Sequence, residues 1–245
     1  MSETKIALVT GANKGIGYEI AAGLGALGHR VGVGARNEAR RSSAVEKLRA
    51  AGVDAFEVPL DVTDDGSVAE AAALIERQAG RLDVLVNNAG ISGDMGPGWV
   101  QDPTTLDLDL VRTVVETNVI GVIRVTNAML PLLRRSASPR IVNVSSAVAS
   151  LTRQADPNIE IGPIMAAYAP SKSFLNAVTV QYARHLADTN ILINAACPGL
   201  VATDFTAFHG PRTPQQGAAT AIHLATLPNN GPTGSFVEDE GIIPW

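Results

Sequence analysis

The sequence predicts an α/β fold: a doubly wound domain whose mostly parallel central sheet of about seven strands is flanked by helices on both faces. Two observations carry this. Short β-branched runs alternate with longer helical patterns along the chain, the rhythm of successive βαβ units. Several strand-like runs are apolar at nearly every position, as strands covered on both faces must be.

In chain order, Ile6-Ala7-Leu8-Val9-Thr10 reads as the first strand, followed by a helix from Gly15 to Leu27 that begins inside a glycine-rich turn. Val31-Gly32-Val33 is the second strand, followed by a helix over 39–51. Strands at 55–58 and 84–87 bracket a helix at 67–79. A long helix is expected over 110–134, then a strand at 141–144, a helix over 171–187, a strand at 191–196, a helix over 214–227 and a last strand at 235–237. No internal repeat and no Pro/Gly-rich linker divides the chain, so residues 1–245 are expected to form one domain. The longest irregular stretches, 91–105, 147–167 and 202–213, follow strand ends. Open parallel sheets bind ligands there, so these are the expected walls of a substrate cleft.

Composition excludes several functions. Hydrophobic residues make up 46% and charged residues 18%, enough apolar material for a core, so disorder is not the expected state. Net charge is −5, and the 19 Lys and Arg are scattered, so the basic footprint of a nucleic-acid binder is missing. Aromatics at 4% are too few for base-stacking platforms. The single cysteine, Cys197, has no intramolecular partner, and His29, His185, His209 and His223 lack metal-ligand spacing, so no metal is expected. Met1 to Lys5 lead straight into a strand and no apolar run is long enough to span a bilayer, so no membrane partner and a cytoplasmic location are expected.

The turn Thr10-Gly11-Ala12-Asn13-Lys14-Gly15-Ile16-Gly17 has the chemistry of an anion cradle. A strand-to-helix turn needs unusual backbone angles, a pyrophosphate must approach bare backbone, and a helix start offers free N–H groups. A glycine-rich loop without chemical consequence is the bland alternative. Position favours the cradle, because the turn lies directly after a strand and opens a helix.

The spacing Gly11, Gly15, Gly17 departs from G-x-G-x-x-G and matches T-G-x-x-x-G-x-G; here the chain resembles the short-chain dehydrogenase/reductase family. Asn87-Asn88-Ala89-Gly90 reproduces its N-N-A-G, Tyr168 to Lys172 its Y-x-x-x-K, and Pro198 to Thr203 its P-G-x-x-x-T. Four motifs in order, from Thr10 to Thr203, make the resemblance specific and nearly chain-long. Asn13-Lys14 and the ending Thr233-Gly234-Ser235 through Ile243-Pro244-Trp245 resemble the carbonyl-reductase branch. The resemblance implies a Rossmann-type domain that reduces an aldehyde, ketone or quinone with a nicotinamide cofactor.

An NAD site usually carries an acid at the end of the second strand; here the chain reads Gly34-Ala35-Arg36-Asn37. Arg36 offers a guanidinium suited to a 2′-phosphate and Lys14 a second charge, so NADP(H) is the expected cofactor, although both could be solvated surface charges. The resemblance places Gly11, Asn13, Lys14, Gly15, Ile16, Gly17, Arg36 and Asn37 along its phosphates and adenosine. It implies that Asp61 binds the adenine amino group, with Val62 beside it; alone, Asp61 could equally be a turn or capping residue. Asn88 and Gly90 are implied at the ribose, and Pro198, Val201 and Thr203 at the nicotinamide.

Carbonyl reduction needs a proton donor within reach of the nascent alkoxide. Tyr168 fits, and Lys172, four residues on, shares its helix face. An ammonium about 5 Å away at an effective dielectric near 20 contributes roughly 3 kcal/mol, an expected lowering of the phenol pKa by about two. Pro170 is tolerable only in a first helical turn, so Tyr168 should sit at the mouth of its helix. By resemblance Lys172 also binds the nicotinamide ribose, Ser146 (the second serine of Ser145-Ser146) steadies the oxygen, and Asn118 holds a water chain from Lys172 to solvent. In isolation these would read as a half-buried aromatic, a surface amine, a turn serine and a buried polar interruption.

Met95, Trp99, Ile164, Met165, Phe205 and Phe208 are the expected substrate contacts on the three loops. Ser146 and Tyr168 lie 22 residues apart, more than is usual in the family. Carbonyl-reductase relatives enlarge this same region over a subunit-pairing surface, so the resemblance implies a monomer or homodimer instead of a tetramer. Two further functions stay open: a non-catalytic NADP(H)-binding regulator, since fold does not fix function, and an alcohol dehydrogenase working in the oxidative direction.

Overall fold

The computed structural model describes residues 4–94 and 99–245. Eight strands form one sheet: β1 (Ile6–Thr10), β2 (Arg30–Ala35), β3 (Ala55–Pro59), β4 (Val84–Asn87), β5 (Arg140–Val144), β6 (Leu192–Ala196), β7 (Phe236–Glu238) and β8 (Gly241–Ile242). Their order is β3-β2-β1-β4-β5-β6-β7-β8, parallel throughout except for the β7–β8 pair. The strand order reverses between β1 and β4, which opens a crevice at the strands' carboxyl ends.

Side-chain alternation along the strands feeds two cores. Ala7 and Val9 of β1 point to a layer with α1 (Gly15–Ala26), α2 (Glu38–Ala50) and α8 (Pro214–Ala225). Ile6 and Leu8 point to the opposite layer, formed by α3 (Asp65–Ala79), α5 (Gly121–Leu133) and α7 (Tyr168–His185). Helix starts are satisfied locally where the sequence provides for it. Asn37 accepts from Arg40 N–H at the head of α2, Asp64 from Ser67 N–H at α3, and Thr213 exchanges a capping box with Gln216 at α8. None of the helices, among the described residues, is long and apolar enough to cross a membrane.

The structure departs from the sequence expectations at four places. An eighth strand, β8, turns back against β7 over two residues, too few to show a period. The long helix expected over 110–134 begins at Leu108 and is divided into α4 (Leu108–Val115), a π-helical turn (Glu116–Ile120) and α5. A π turn inserts without breaking the apolar pattern on either side, and such turns cluster at functional sites. Helix α7 starts at Tyr168, three residues before the expected boundary, because Pro170 occupies its first turn, where no N–H is needed. The 147–167 segment contains a short 3-10 turn (Ala147–Ala149) and α6 (Leu151–Ala155), and the chain end is tied to it: Thr152 donates to the Trp245 carbonyl and Ser150 to that of Pro244.

Candidate active site

The glycine turn after β1 is shaped by close approach. Gly11 has φ +65°, a conformation disfavoured for side-chain-bearing residues. A Cβ at Gly17 would stand 2.4 Å from Asn88 Nδ2 and 2.5 Å from the Gly11 carbonyl oxygen, so the first turn of α1 packs against the Asn88 segment with no room for a methyl group. That segment is fastened to β1: Thr10 Oγ1 accepts from the N–H groups of Asn88 (3.0 Å) and Ala89 (2.9 Å), and Asn88 Nδ2 donates to the Thr10 carbonyl. Helix α1 has no side-chain cap, leaving its first N–H groups open toward the cleft, the donor set a phosphate requires.

A cleft of about 1730 Å³ runs along the carboxyl ends of the strands. Gly11, Asn13, Lys14, Gly15, Ile16 and Gly17 line it, as do Arg36, Asn37, Asp61, Val62, Asn88 and Gly90. Ser146, Tyr168, Lys172, Pro198, Val201 and Thr203 line it as well, Thr203 against Gly15 and Lys172 against Gly90. The cationic end contains Arg36, whose side chain is largely exposed with Asp61 at 3.9 Å, and Arg40, in the first turn of α2. Arg40 is absent from the sequence reading: Arg36 precedes α2, so no helical spacing links the two. Lys14 is paired with Asp204 across the cleft, so its charge is already shared with the 202–213 segment. Asp61 combines its two sequence readings: it lines the cleft and also accepts from the Thr63 N–H and hydroxyl in a tight turn. Burial pushes its carboxyl up, but the Thr63 bonds and the neighbouring Arg36 and Arg124 outweigh this and hold it below the ordinary carboxylate value.

Strand β5 and helix α7 assemble the reactive group. Tyr168 is the first residue of α7, and Lys172 lies one turn later with its Nζ 5.8 Å from the phenol ring centre. Lys172 Nζ donates to the Val144 carbonyl at 2.8 Å, and Ser146 hydrogen-bonds the Tyr168 phenol. The two adjacent serines part company: the Ser145 hydroxyl is buried and donates to Asn176 Oδ1 at 2.7 Å, which leaves Ser146 beside the phenol. Burial pushes the Tyr168 phenol above its ordinary value and pulls the Lys172 amine down to about 8. The sequence expectation of a lowered phenol pKa is therefore reversed: burial is the largest influence on the phenol, and the one opposing it comes from Ser146, not from the Lys172 ammonium.

Asn118 does not line the cleft. It lies fully buried in the π turn, its Oδ1 accepting from Ile91 N–H (2.8 Å) and its Nδ2 donating to the Ile91 carbonyl (2.8 Å) and Ser171 Oγ (3.0 Å). It is nonetheless beside the amine: a Cβ on Gly90 would be 3.1 Å from Asn118 Oδ1 and 3.5 Å from Lys172 Nζ.

Of the expected substrate contacts, Trp99, Met165, Phe205 and Phe208 line the cleft, and the Phe205 ring lies 5.4 Å from that of Tyr168. Ile164 does not; its side chain is exposed, since the neighbouring Met165 takes the inward position. Met95 lies outside the described residues. Val148, Ile161 and His209 complete the wall without having been read from the sequence, because an isolated apolar or ring residue in a loop carries no periodic signal. Cys197 packs with Ala149, Ala195, Phe236 and Ile243, and burial raises its thiol, the condition of an inert core cysteine.

A parallel sheet with a glycine-rich cradle at its switch point and a buried tyrosine and lysine with a half-buried serine beside an apolar cleft defines the molecule as an oxidoreductase of the nucleotide-binding α/β class. Comparison with known proteins narrows the class: the family model for short chain dehydrogenase matches residues 5–213. The chain thus belongs to the short-chain dehydrogenase family. It is 34% identical over 299 aligned residues to short-chain dehydrogenase/reductase 1 of Saponaria officinalis, covering 100% of this chain and 97% of the relative. With the NADPH carbonyl reductase 1 of Sus scrofa it shares 33% identity over 284 residues, 100% of this chain and 95% of the relative. The solved structure of an NADPH-bound carbonyl reductase from chicken fatty liver superposes with a TM-score of 0.85 at 27% identity, covering 100% of both chains.

Proposed function

We propose that this protein reduces an apolar aldehyde, ketone or quinone to the alcohol at the expense of NADPH. The observation that carries the reading is the Ser146–Tyr168–Lys172 group, its tyrosine and lysine buried, in a cleft that Trp99, Met165 and Phe205 also line. The cradle fits a dinucleotide because α1 begins beside the cleft without a side-chain cap and because Arg36, after β2, and Arg40, in the first turn of α2, line the cleft where an acid would repel a 2′-phosphate. Gly11, Asn13, Gly15, Ile16, Gly17, Asn88 and Gly90 would hold the cofactor's phosphates and ribose, with Lys14, Arg36 and Asn37 at the 2′-phosphate, Asp61 and Val62 at the adenine, and Pro198, Val201 and Thr203 at the nicotinamide. When bound, NADPH supplies the hydride.

The chain's own residues supply the rest. Tyr168 donates its phenolic proton to the substrate oxygen as negative charge develops there, and the Ser146 hydroxyl stabilises that charge. Burial, which raises the phenol, keeps it protonated at neutral pH, the state a donor needs. Lys172, titrating near 8, is matched to returning the proton to Tyr168, with the buried Asn118 carboxamide near it. The enlarged 147–167 segment supports a monomer or homodimer. The reading is tested by following NADPH consumption with a panel of aryl ketones and quinones. Turnover is expected with at least the bulky apolar members; tight NADPH binding without turnover would instead mark a regulator.

A further inference from the structure

Gln101 is a buried hub outside the four motifs. It is 3% exposed, and all four hydrogen-bonding positions of its carboxamide are used. Its Oε1 accepts from the N–H groups of Ala167 (3.0 Å) and Tyr168 (3.3 Å). Its Nε2 donates to the carbonyls of Ser92 and Asp94, each at 3.0 Å. Its backbone N–H adds a 2.8 Å bond to the Ile164 carbonyl, and Gln101 pairs with Met165 in an isolated parallel bridge.

These bonds complete an accounting at the head of the catalytic helix. The first N–H groups of any helix lack intrahelical partners. The cap residue of α7 is Ala167, which has no side chain able to accept. Pro170 has no N–H, and the Ala169 N–H is satisfied by the Met165 carbonyl at 2.9 Å. The two donors that remain, on Ala167 and Tyr168, are those taken by Gln101. A cap that most helices draw from the preceding residue comes here from a separate loop, 67 residues away from Tyr168 in sequence.

The same loop reaches the substrate side. Trp99, two residues before Gln101, lines the cleft with φ +65°, an uncommon conformation for a bulky side chain, and its ring meets that of His209 at 6.1 Å. Ser92 and Asp94, held by the Gln101 amide, follow Ile91, which Asn118 grips. One carboxamide therefore joins the wall bearing Trp99, the segment beside Gly90, and the backbone of the proton donor.

We propose that Gln101 is a positioning residue for Tyr168, setting the phenol's place by capping α7 and coupling that place to the substrate wall. The inference rests on the carbonyl-reduction reading, so wild-type turnover is measured in parallel. Gln101→Met keeps the size and removes every polar atom. Gln101→Glu keeps an acceptor at the helix head, where the dipole favours it, and sets a carboxylate against the Ser92 and Asp94 carbonyls. Displacing a catalytic group by an ångström costs about 100-fold in rate, so kcat should fall by about 10- to 100-fold in Gln101→Met with the Kd for NADPH unchanged. Gln101→Glu should hold kcat near wild type and raise the KM for the carbonyl. In the protein without cofactor, amide exchange at Ala167 and Tyr168 should accelerate in Gln101→Met and stay slow in Gln101→Glu.

A wild-type kcat in Gln101→Met would overturn the proposal. So would equal losses of kcat and NADPH affinity in both variants, which would mark a general structural role. Absence of wild-type turnover would count against the carbonyl-reduction reading alone, leaving amide exchange to decide whether Gln101 caps the helix.

Discussion

Replacing Asn118 by leucine should destabilise the protein and slow it together, for reasons its hydrogen bonds make quantitative. The two side chains branch alike and leucine is the larger, so no cavity opens at this fully buried position. What is lost is the grip on Ile91, whose N–H and carbonyl each bond the amide at 2.8 Å. Stranding a buried backbone group costs about 1–3 kcal/mol; Ile91 is only half-buried, so the lower part of that range applies to each, giving about 2–4 kcal/mol together. The same change removes the carboxamide beside Lys172 Nζ and frees the segment after Gly90, so kcat should fall by about 10- to 100-fold. Urea unfolding with an unchanged m-value measures the first effect and steady-state kinetics the second. A stability loss under about 0.5 kcal/mol, the range of neutral surface changes, would refute the reasoning.

Gly17→Ala places a methyl 2.4 Å from Asn88 Nδ2 and 2.5 Å from the Gly11 carbonyl oxygen, and should weaken NADPH binding by at least about tenfold in a fluorescence titration; unchanged affinity would mean the cradle is elsewhere. Arg36→Glu puts an acid where the 2′-phosphate is proposed, so the ratio of NADPH to NADH affinity should drop by about 10- to 100-fold, measured as two Kd values. Reduction should slow as pH rises through about 8, where Lys172 loses its ammonium, and that limb of the kcat profile should vanish in Lys172→Met. The stability effect has the opposite sense. With its amine held below the ordinary 10.5, Lys172 binds fewer protons folded than unfolded between about 8 and 10.5, so its burial penalty shrinks and stability rises through that window. Unfolding free energies across this range should lose that rise in Lys172→Met.

The strands and the nucleotide cradle were legible because each depends on local rules. Apolar runs such as Ile6–Val9 declare a doubly covered strand, and Gly11 and Gly17 declare a turn with no room for side chains. The pairing of Tyr168 with Lys172 was readable from helical spacing and from Pro170, which fixes the helix start. What escaped was set by contacts distant in sequence. No pattern along the chain announces that Gln101 bonds to Tyr168, that Asn118 sits in a π turn, or that Lys14 pairs with Asp204, 190 residues away. The direction of the Tyr168 pKa was hidden for a related reason: the spacing shows that an amine is near, while the desolvation that raises the phenol depends on three-dimensional burial.

The most direct measurement compares single-turnover reduction by wild type and Tyr168→Phe, each saturated with NADPH, using a ketone from the panel that the wild type reduces. If the buried phenol is the proton donor, the variant should bind NADPH as tightly as wild type and reduce the ketone about three orders of magnitude more slowly. Comparable rates in the two proteins would contradict the account, since another group would then be delivering the proton.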